Sequence, residues 1–520
     1  MRGSVELTQS SDEGDHHTDV ILHDDLGEEY SYDAGKHRRQ PKVFWQLYFY
    51  TLVAAASELA NGYDVGAFSF AMLYFKNDPS VDLTPFQVAV VVGMFNLVAA
   101  LGCLFAGPVS DLMGRKMSLI GGNAINFVGT VMLTASSTFG FMFFSRFVMG
   151  MGAGIAFMGP ELYASEISPP HVRGLTSTWG ELFINFGILI GYLAGWALRP
   201  HWRVMVGLGA IIPLVSVILQ MMIPESPRWL AQKGKEEAAR KALRSVADYT
   251  TEEENEQMDE IRAVLDSERG HDKAGWHELL CPNKALLHAM AVGWGTAFFQ
   301  QANGSEGVVY FTPTVLESIG IMEGNVLYAV TAAVGLCKAV FVGVALLTMD
   351  KIGRLPLLTA SSVGVAVGLL MLAVAFTASP TIPALAAAGL CVFMASFSVG
   401  WGPLTGVLLA EVFPPRIRGT AVGIGWSLNR LTSGTVALVF VPMSAGLGPG
   451  GAFFVFFCVS VAALAFSKFA VPETMGTTLE DITQIFERRA AGKSSSRPAP
   501  LSTRDWAARS RNDSDIPSRA

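Results

Sequence analysis

The chain has 520 residues, 51% of them hydrophobic and 16% charged, with a formal net charge of −7. A soluble domain of this size carries about a quarter charged residues, so a soluble globular fold is excluded, and an acidic balance gives no footing for a nucleic-acid binder. Four of the five cysteines (Cys103, Cys337, Cys391, Cys458) lie inside apolar runs and only Cys281 in a connection, which predicts neither a disulfide framework nor a metal cluster.

In chain order, residues 1–42 are polar and acidic and read as a disordered N-terminus without a cleaved-signal pattern. Apolar runs of about 20 residues, enough to cross a roughly 30 Å hydrocarbon core, then predict an all-α membrane protein. The spans fall near 43–70, 87–107, 117–137, 141–164, 176–198, 204–223, 285–314, 325–348, 356–378, 384–411, 419–443 and 451–471. The first six make an N-terminal half, 43–223, and the last six a C-terminal half, 285–471. Between them lies a linker, 224–284, in which Ala239, Leu243, Met258, Ile261 and Leu265 at helical spacing predict two or three short amphipathic helices over 235–268. In the last segment, 472–520, residues 479–486 predict one more such helix, followed from about 491 by a disordered Ser/Arg/Pro-rich tail.

Basic residues cluster at alternate connections. The positive-inside rule therefore places both termini and the linker in the cytoplasm, with Arg199 and Arg203 as the exception on the other side.

The same connections repeat. Asp111-Leu-Met-Gly114-Arg115 returns as Asp350-Lys-Ile-Gly353-Arg354, Glu166…Arg173-Gly174 as Glu411…Arg418-Gly419, and Pro224-Glu225-Ser-Pro-Arg228 as Pro472-Glu473-Thr-Met-Gly476. A near-constant offset implies two homologous halves in parallel order, as in many secondary transporters with a site between the halves. Asp111, Arg115, Glu166, Arg173, Glu225 and Arg228 in the first half, and Asp350, Arg354, Glu411, Arg418 and Glu473 in the second, are candidates for a cytoplasmic gate. Their half-buried ion pairs would bias one conformation and break in the other. The plainer reading is charge that only sets topology.

These motifs, with Gly62-Tyr-Asp64, Arg146, Gln300-Gln301 and Pro472-Glu473-Thr474-Met475-Gly476, resemble the sugar porter branch of the major facilitator superfamily over nearly all of 43–486. Within it the chain looks closest to plant proton-coupled polyol and monosaccharide symporters, through stretches around Glu181, Phe298–Ala302, Lys338 and Asn429–Gly434. The resemblance implies twelve transmembrane helices in two pseudo-symmetric halves. It also implies that Asp64 takes the proton while Arg146 competes for its carboxylate. A charge at the bilayer centre costs at least about 2.5–3.5 kcal/mol, so such residues need partners, water or a neutral form. A static ion pair joining spans 1 and 4 is the alternative. Glu58 and Asn61 extend the polar stripe of span 1 and either lengthen the proton path or serve packing or a water.

Neutral, hydroxyl-rich substrates suit amide side chains, which donate and accept without adding charge. By resemblance, Gln300 and Gln301 on span 7 and Asn429 on span 11 contact substrate, with Glu181, Glu306 and Lys338 beside them. Asn303-Gly304-Ser305 predicts a broken helix facing a cavity. Glu306 and Lys338 are expected to form a buried ion pair. The stacking Trp of the family belongs at Gly406 and is missing, and Trp401 lies about one and a half turns earlier; this leaves room for a linear polyol or a bulkier substrate.

The expected function is proton-coupled symport of a polyol or monosaccharide by alternating access, in the plasma membrane. An uncoupled carrier and a non-transporting sensor are the rivals. Neither an enzyme nor a resident cofactor is expected; the partners are a small neutral polyol or sugar, a proton and the bilayer, with the chain itself monomeric.

Overall fold

The computed structural model describes residues 5–9, 18–23, 29–33, 41–75, 78, 81, 83–169, 172, 176, 178–269, 278–321, 324–475 and 479–490. Apart from three short strands it is helical. The N-terminal half contains α1 (Trp45–Phe75), α2 (Pro85–Met113), α3 (Arg115–Thr134), α4 (Phe139–Ile167), α5 (Trp179–Ala197), and the consecutive pieces α6 (Trp202–Leu208) and α7 (Ile211–Gln220). The linker carries α8 (Pro227–Gln232), α9 (Glu236–Arg244) and α10 (Thr251–Arg269). The C-terminal half contains α11 (Lys284–Ala302), α12 (Ser305–Ser318), α13 (Gly324–Ile352), α14 (Arg354–Thr377), α15 (Pro383–Val399), α16 (Trp401–Val412) and α17 (Pro415–Phe469), with α18 (Leu479–Ala490) behind it.

Among the described residues, nine helical stretches are long and apolar enough to cross a membrane. One of them, Ile417–Phe469, spans 53 residues, far more than a 30 Å core requires. It bends at Gly448 (φ 74°) and so provides spans 11 and 12 together. The other two crossings, α1 and the α11–α12 pair, carry polar side chains at mid-length. Large apolar side chains such as Phe105, Phe144, Ile218 and Leu347 face outward, as a lipid-facing belt must.

Three predicted spans are interrupted, span 6 between α6 and α7 and two more at glycines. Gly304, at φ 90°, separates α11 from α12 at the expected place. In span 10 a further break falls at Gly400. A Cβ there would lie 2.3 Å from Ser361, so the backbone of α15–α16 comes too close to α14 for any larger residue. Pro403, lacking an N–H, leaves the Val399 carbonyl without its helical donor.

Ahead of α1, where disorder is expected, β1 (Val5–Gln9), β2 (Thr18–His23) and β3 (Glu29–Asp33) pair antiparallel in that order, Val5 opposite Leu22 and Asp19 opposite Asp33. Their Val, Ile, Leu and Tyr content suits strands. The tail from 491 lies outside the described residues.

Chain entry and linker meet: Phe44 N–H donates to the Val246 carbonyl at 2.9 Å, and Val43 bridges Ala247. One end of the bundle, called the linker end below, therefore holds the start of α1, α8–α10 and α18. The linker helices bury Leu230, Ala239, Leu243 and Met258 against one another. Glu254 joins α10 to α9, accepting from Arg244 at 2.6 Å and Arg240 at 3.0 Å. Those bonds, Arg244 first, hold the Glu254 carboxyl below the usual range.

Candidate functional site

At the linker end the two halves build the same corner from the repeated motifs. Gly114 and Gly353 precede α3 and α14 with identical backbone, φ 101° and ψ 160°. Only glycine adopts this without strain. It also opens space for a carboxylate: a Cβ on Gly114 would lie 2.3 Å from Glu225 Oε2, and one on Gly353 2.9 Å from Glu473 Oε2. Glu225 accepts from the Arg115 amide at 2.9 Å and the Lys116 amide at 3.1 Å. Glu473 accepts from the Arg354 and Leu355 amides at 2.9 and 3.0 Å. Each carboxylate thus satisfies the orphan amides of a helix N-terminus. Burial raises the Glu225 carboxyl above its usual range, opposed by the amides of Ser226, Lys116 and Arg115.

The arginines repeat as well. Arg115 grips Glu166 with Nε at 2.9 Å and Nη2 at 2.8 Å, and reaches Asp111 at 2.9 Å with Nη1. Arg354 reaches Glu411 at 3.3 Å. Ser226 donates to Glu166, and Thr474 to Glu411 at 2.5 Å. Trp229 on α8 donates to the Asp111 carbonyl at 3.0 Å, pinning the linker to the first corner. Arg418 donates to the Phe413 carbonyl at 3.2 Å, and Arg228 sits in the first turn of α8. Arg173 and the side chain of Asp350 lie outside the described residues. Arg115–Glu166 and Arg354–Glu411 each tie helices of one half together rather than bridging the sliding interface.

In the membrane interior the halves differ. Arg146 on α4 is fully buried and donates to Asp64 Oδ2 on α1 at 2.6 Å. Its guanidinium lies 3.7 Å from the Phe68 ring centre, and among the described residues its Nε and Nη2 have no hydrogen-bond partner. Close helix contact makes this possible, since Gly154 brings α4 onto α2 where a Cβ would meet the Ala99 carbonyl at 2.2 Å.

Between the halves lies a cavity of about 750 Å³ of atom-free space, part of it open to solvent. It unites most of the predicted substrate residues: Glu181 on α5, Gln300 and Gln301 on α11, Glu306 on α12 and Lys338 on α13. Asn429 stands just behind, fully buried. Asn429 Nδ2 donates to Gln300 Oε1 at 2.5 Å, and Gln300 Nε2 donates to the Trp401 and Gly402 carbonyls at 2.9 and 3.0 Å. Ser305, on the far side of the Gly304 break, donates to Gln301 Oε1 at 2.7 Å. The two broken helices thus lock the amides in place.

Two expectations fail here. Glu306 does not pair with Lys338. Its nearest cation is Arg430 on α17, 3.9 Å away. Arg430 also donates to Asn429 Oδ1 at 2.7 Å and lies over Phe157 at 4.7 Å. Lys338 Nζ stands 5.6 Å from the Phe397 ring centre instead, with Glu181 and Glu306 as the carboxylates whose charge reaches it. The reason is reach: an arginine one residue past Asn429 faces the same cavity, and its planar fork serves an amide oxygen and a carboxylate together. Nor is the aromatic wall missing. A Cβ at Gly406 would lie 3.3 Å from the Trp426 ring, so Trp426 occupies the space a larger residue there would need. Trp426 lines the cavity with Phe157 at 5.0 Å, while Trp401 is wholly buried with Nε1 donating to Ser362.

The opposite end closes through residues that sequence reasoning did not single out. Tyr74 and Tyr328 share a hydrogen bond of 2.5 Å across the halves, and Phe70 stacks on Tyr328 at 5.0 Å. Arg199 donates to Asn325 at 2.9 Å and covers Tyr328 at 4.6 Å. Arg203 pairs with Asp78 at 2.5 Å. The two arginines that break the charge pattern thus have structural employment. The signal available for Arg430 was its charge within a span; nothing local marks Tyr74 or Tyr328.

The Sugar (and other) transporter family profile matches residues 50–486. Polyol transporter 5 of Arabidopsis thaliana is 33% identical over 472 residues, 86% of this chain and 87% of that protein. Probable polyol transporter 4 of the same plant is 36% identical over 444 residues, 84% of each. The structure of the major facilitator proton:xylose symporter XylE bound to 6-bromo-6-deoxy-D-glucose superposes with a TM-score of 0.71 at 27% identity, covering 85% of this chain and 99% of that one. A partially occluded inward-open form of XylE from E. coli gives 0.71 at 26%, covering 84% and 100%. Repeated corners, broken helices around a central cavity and these matches agree: the chain is an integral multi-pass membrane protein, a transporter and not an enzyme, and it belongs to the sugar porter family of the major facilitator superfamily.

Proposed function

We propose that this chain carries a small neutral polyol or monosaccharide together with a proton, by alternating access, across the plasma membrane with both termini cytoplasmic. The observation that supports this best is the buried Asp64–Arg146 pair on α1 and α4 of the half that faces the amide-lined cavity. Arg146 stabilises ionised Asp64; protonation removes that attraction and frees α1 from α4. Gln300 and Gln301 offer matched donors and acceptors to hydroxyls, Asn429 orients Gln300, and Trp426 offers an apolar face to carbon. Glu181, Glu306, Lys338 and Arg430 balance two negative against two positive charges, which suits a neutral cargo. The polyol-transporter relatives and the proton:xylose symporter XylE support the same reading. The duplicated corners hold each half rigid during rocking, so the moving surface is the one between halves.

One proton crossing about 100 mV supplies about 2.3 kcal/mol, which at about 1.4 kcal/mol per tenfold supports roughly 50-fold accumulation. The test is uptake of labelled polyols and monosaccharides by a transporter-deficient cell with external pH recorded. Substrate-induced alkalinisation is expected, and Asp64→Asn should exchange substrate without accumulating it. Saturable uptake with no pH change would instead establish uncoupled facilitation.

A further inference from the structure

Glu58 lies on α1, six residues before Asp64 and about 9 Å toward the linker end at 1.5 Å per residue. It is 3% exposed. One hydrogen bond holds it: Asn61 Nδ2 donates to Glu58 Oε2 at 3.2 Å. Among the described residues no cation stands within 4.0 Å of it. Among the described residues two buried oxygens have no partner, Glu58 Oε1 and Asn61 Oδ1. Both are acceptors, on the same two side chains, and Asn61, itself 5% exposed, lines the central cavity. Unpaired buried acceptors are costly, and an unpaired carboxylate inside a membrane is costlier still.

One proton resolves both vacancies. We propose that Glu58 and Asn61 form a second proton-binding site, a carboxylic acid–amide pair in which Glu58 Oε1–H donates to Asn61 Oδ1 while Asn61 Nδ2 donates back to Oε2. A single O–H bond forms, with the proton drawn from cavity water. The groups that face Glu58 fit this. α4 brings Glu161, α5 brings Glu181 and α17 brings Arg430. From α3 and α7 come only the uncharged Asn123 and Gln220, bonded to Ser57. α6 and α12 meet α1 farther on, where Tyr63 donates to the Met205 carbonyl and Tyr310 lies near Asp64. An ionised Glu58 would add its charge beside Glu161 and Glu181, with Arg430 already engaged with Asn429 and Glu306.

In the present state the far end is shut, Asp64 holds Arg146, and the Glu58 pair lacks only a proton. Glu58 is then the carboxyl that carries the proton on the linker-end side of Asp64, a role that rests on the proton-coupled reading above. The site itself does not. Infrared difference spectroscopy on the purified full chain near neutral pH should show a protonated-carboxyl C=O band that shifts in D₂O. Glu58→Gln should remove it, Asn61→Leu should move it to higher frequency by removing the hydrogen bond, and Asp64→Asn should leave it in place. A spectrum unchanged by both Glu58→Gln and Asn61→Leu overturns the site. If Glu58→Gln fails to fold, the Asn61→Leu shift decides alone. Where the parent protein moves substrate without pH change, the coupling falls, while the band still decides whether Glu58 holds a proton.

Discussion

The linker-end corners and the membrane interior meet different physical demands. Both corners use a glycine at φ 101°, a carboxylate on a helix N-terminus, and an arginine reaching a glutamate on a neighbouring helix. Such a device needs only local geometry, so duplication preserves it. The interiors share no such pattern. α1, α4 and α5 bring Glu58, Asp64, Arg146, Glu161 and Glu181, whereas α11–α13 and α17 bring a locked amide network with Glu306, Lys338 and Arg430. The repeat supplies a shared frame, and the interiors differ within it, with the buried Asp64–Arg146 pair in one half and the locked amide network in the other.

The largest effect that would sharpen this contrast is at Arg146. Arg146→Met leaves Asp64 buried beside no cation and should cost about 3–5 kcal/mol, measured as thermal unfolding in detergent. Adding Asp64→Asn should recover most of it, and no recovery would mean that packing over Phe68, not charge, dominates. Next come the corners. Arg115 grips Glu166 with two nitrogens at 2.8 and 2.9 Å, whereas Arg354 reaches Glu411 at 3.3 Å, so Arg115→Met should cost about 3 kcal/mol and Arg354→Met less. Glu225→Gln and Glu473→Gln, which do the same capping, should cost nearly equal amounts of about 1 kcal/mol. Unequal capping costs would break the claimed equivalence.

Smaller still is the aromatic wall. Trp426→Ala should weaken cyclic substrates by about 0.5–1.5 kcal/mol, roughly 2- to 10-fold in apparent affinity, with less effect on linear polyols. Equal losses for both would assign Trp426 to packing alone. The least effect is expected in the linker. Glu254 titrates below the usual carboxylate range when folded, so its contribution is present above the unfolded value near 4.3. It fades as pH falls through the lower folded value. Hydrogen exchange in α10 should therefore rise on acidification in the parent, and Glu254→Gln should show fast exchange already at neutral pH.

Much of this was legible along the chain. Gln300, Gln301, Glu306, Lys338 and Glu181 do line one cavity, and the break at Gly304 falls where Asn303-Gly-Ser305 marks it. Asp64 and Arg146 meet, as the family resemblance implied. Pairing of charges was legible less well. Choosing Lys338 over Arg430 for Glu306 requires knowing which way α13 and α17 turn their faces, and helical periodicity within one span carries no rotation relative to another. Gly406 misled for the same reason: the ring that fills its space comes from Trp426, 20 positions away on another helix.

Sequence by itself determined what depends on composition and spacing. Apolar length sets the crossings, repeated Gly-Arg and Pro-Glu motifs set two halves, and intramembrane polar residues mark the interior, because each reports a cost the chain must meet locally. Only the tertiary structure decided which charge meets which, that Tyr74 and Tyr328 close the far end, and that among the described residues Glu58 and Asn61 each keep a buried oxygen without a donor. Those depend on distances between helices far apart in sequence, and on the absence of a partner, which no motif records.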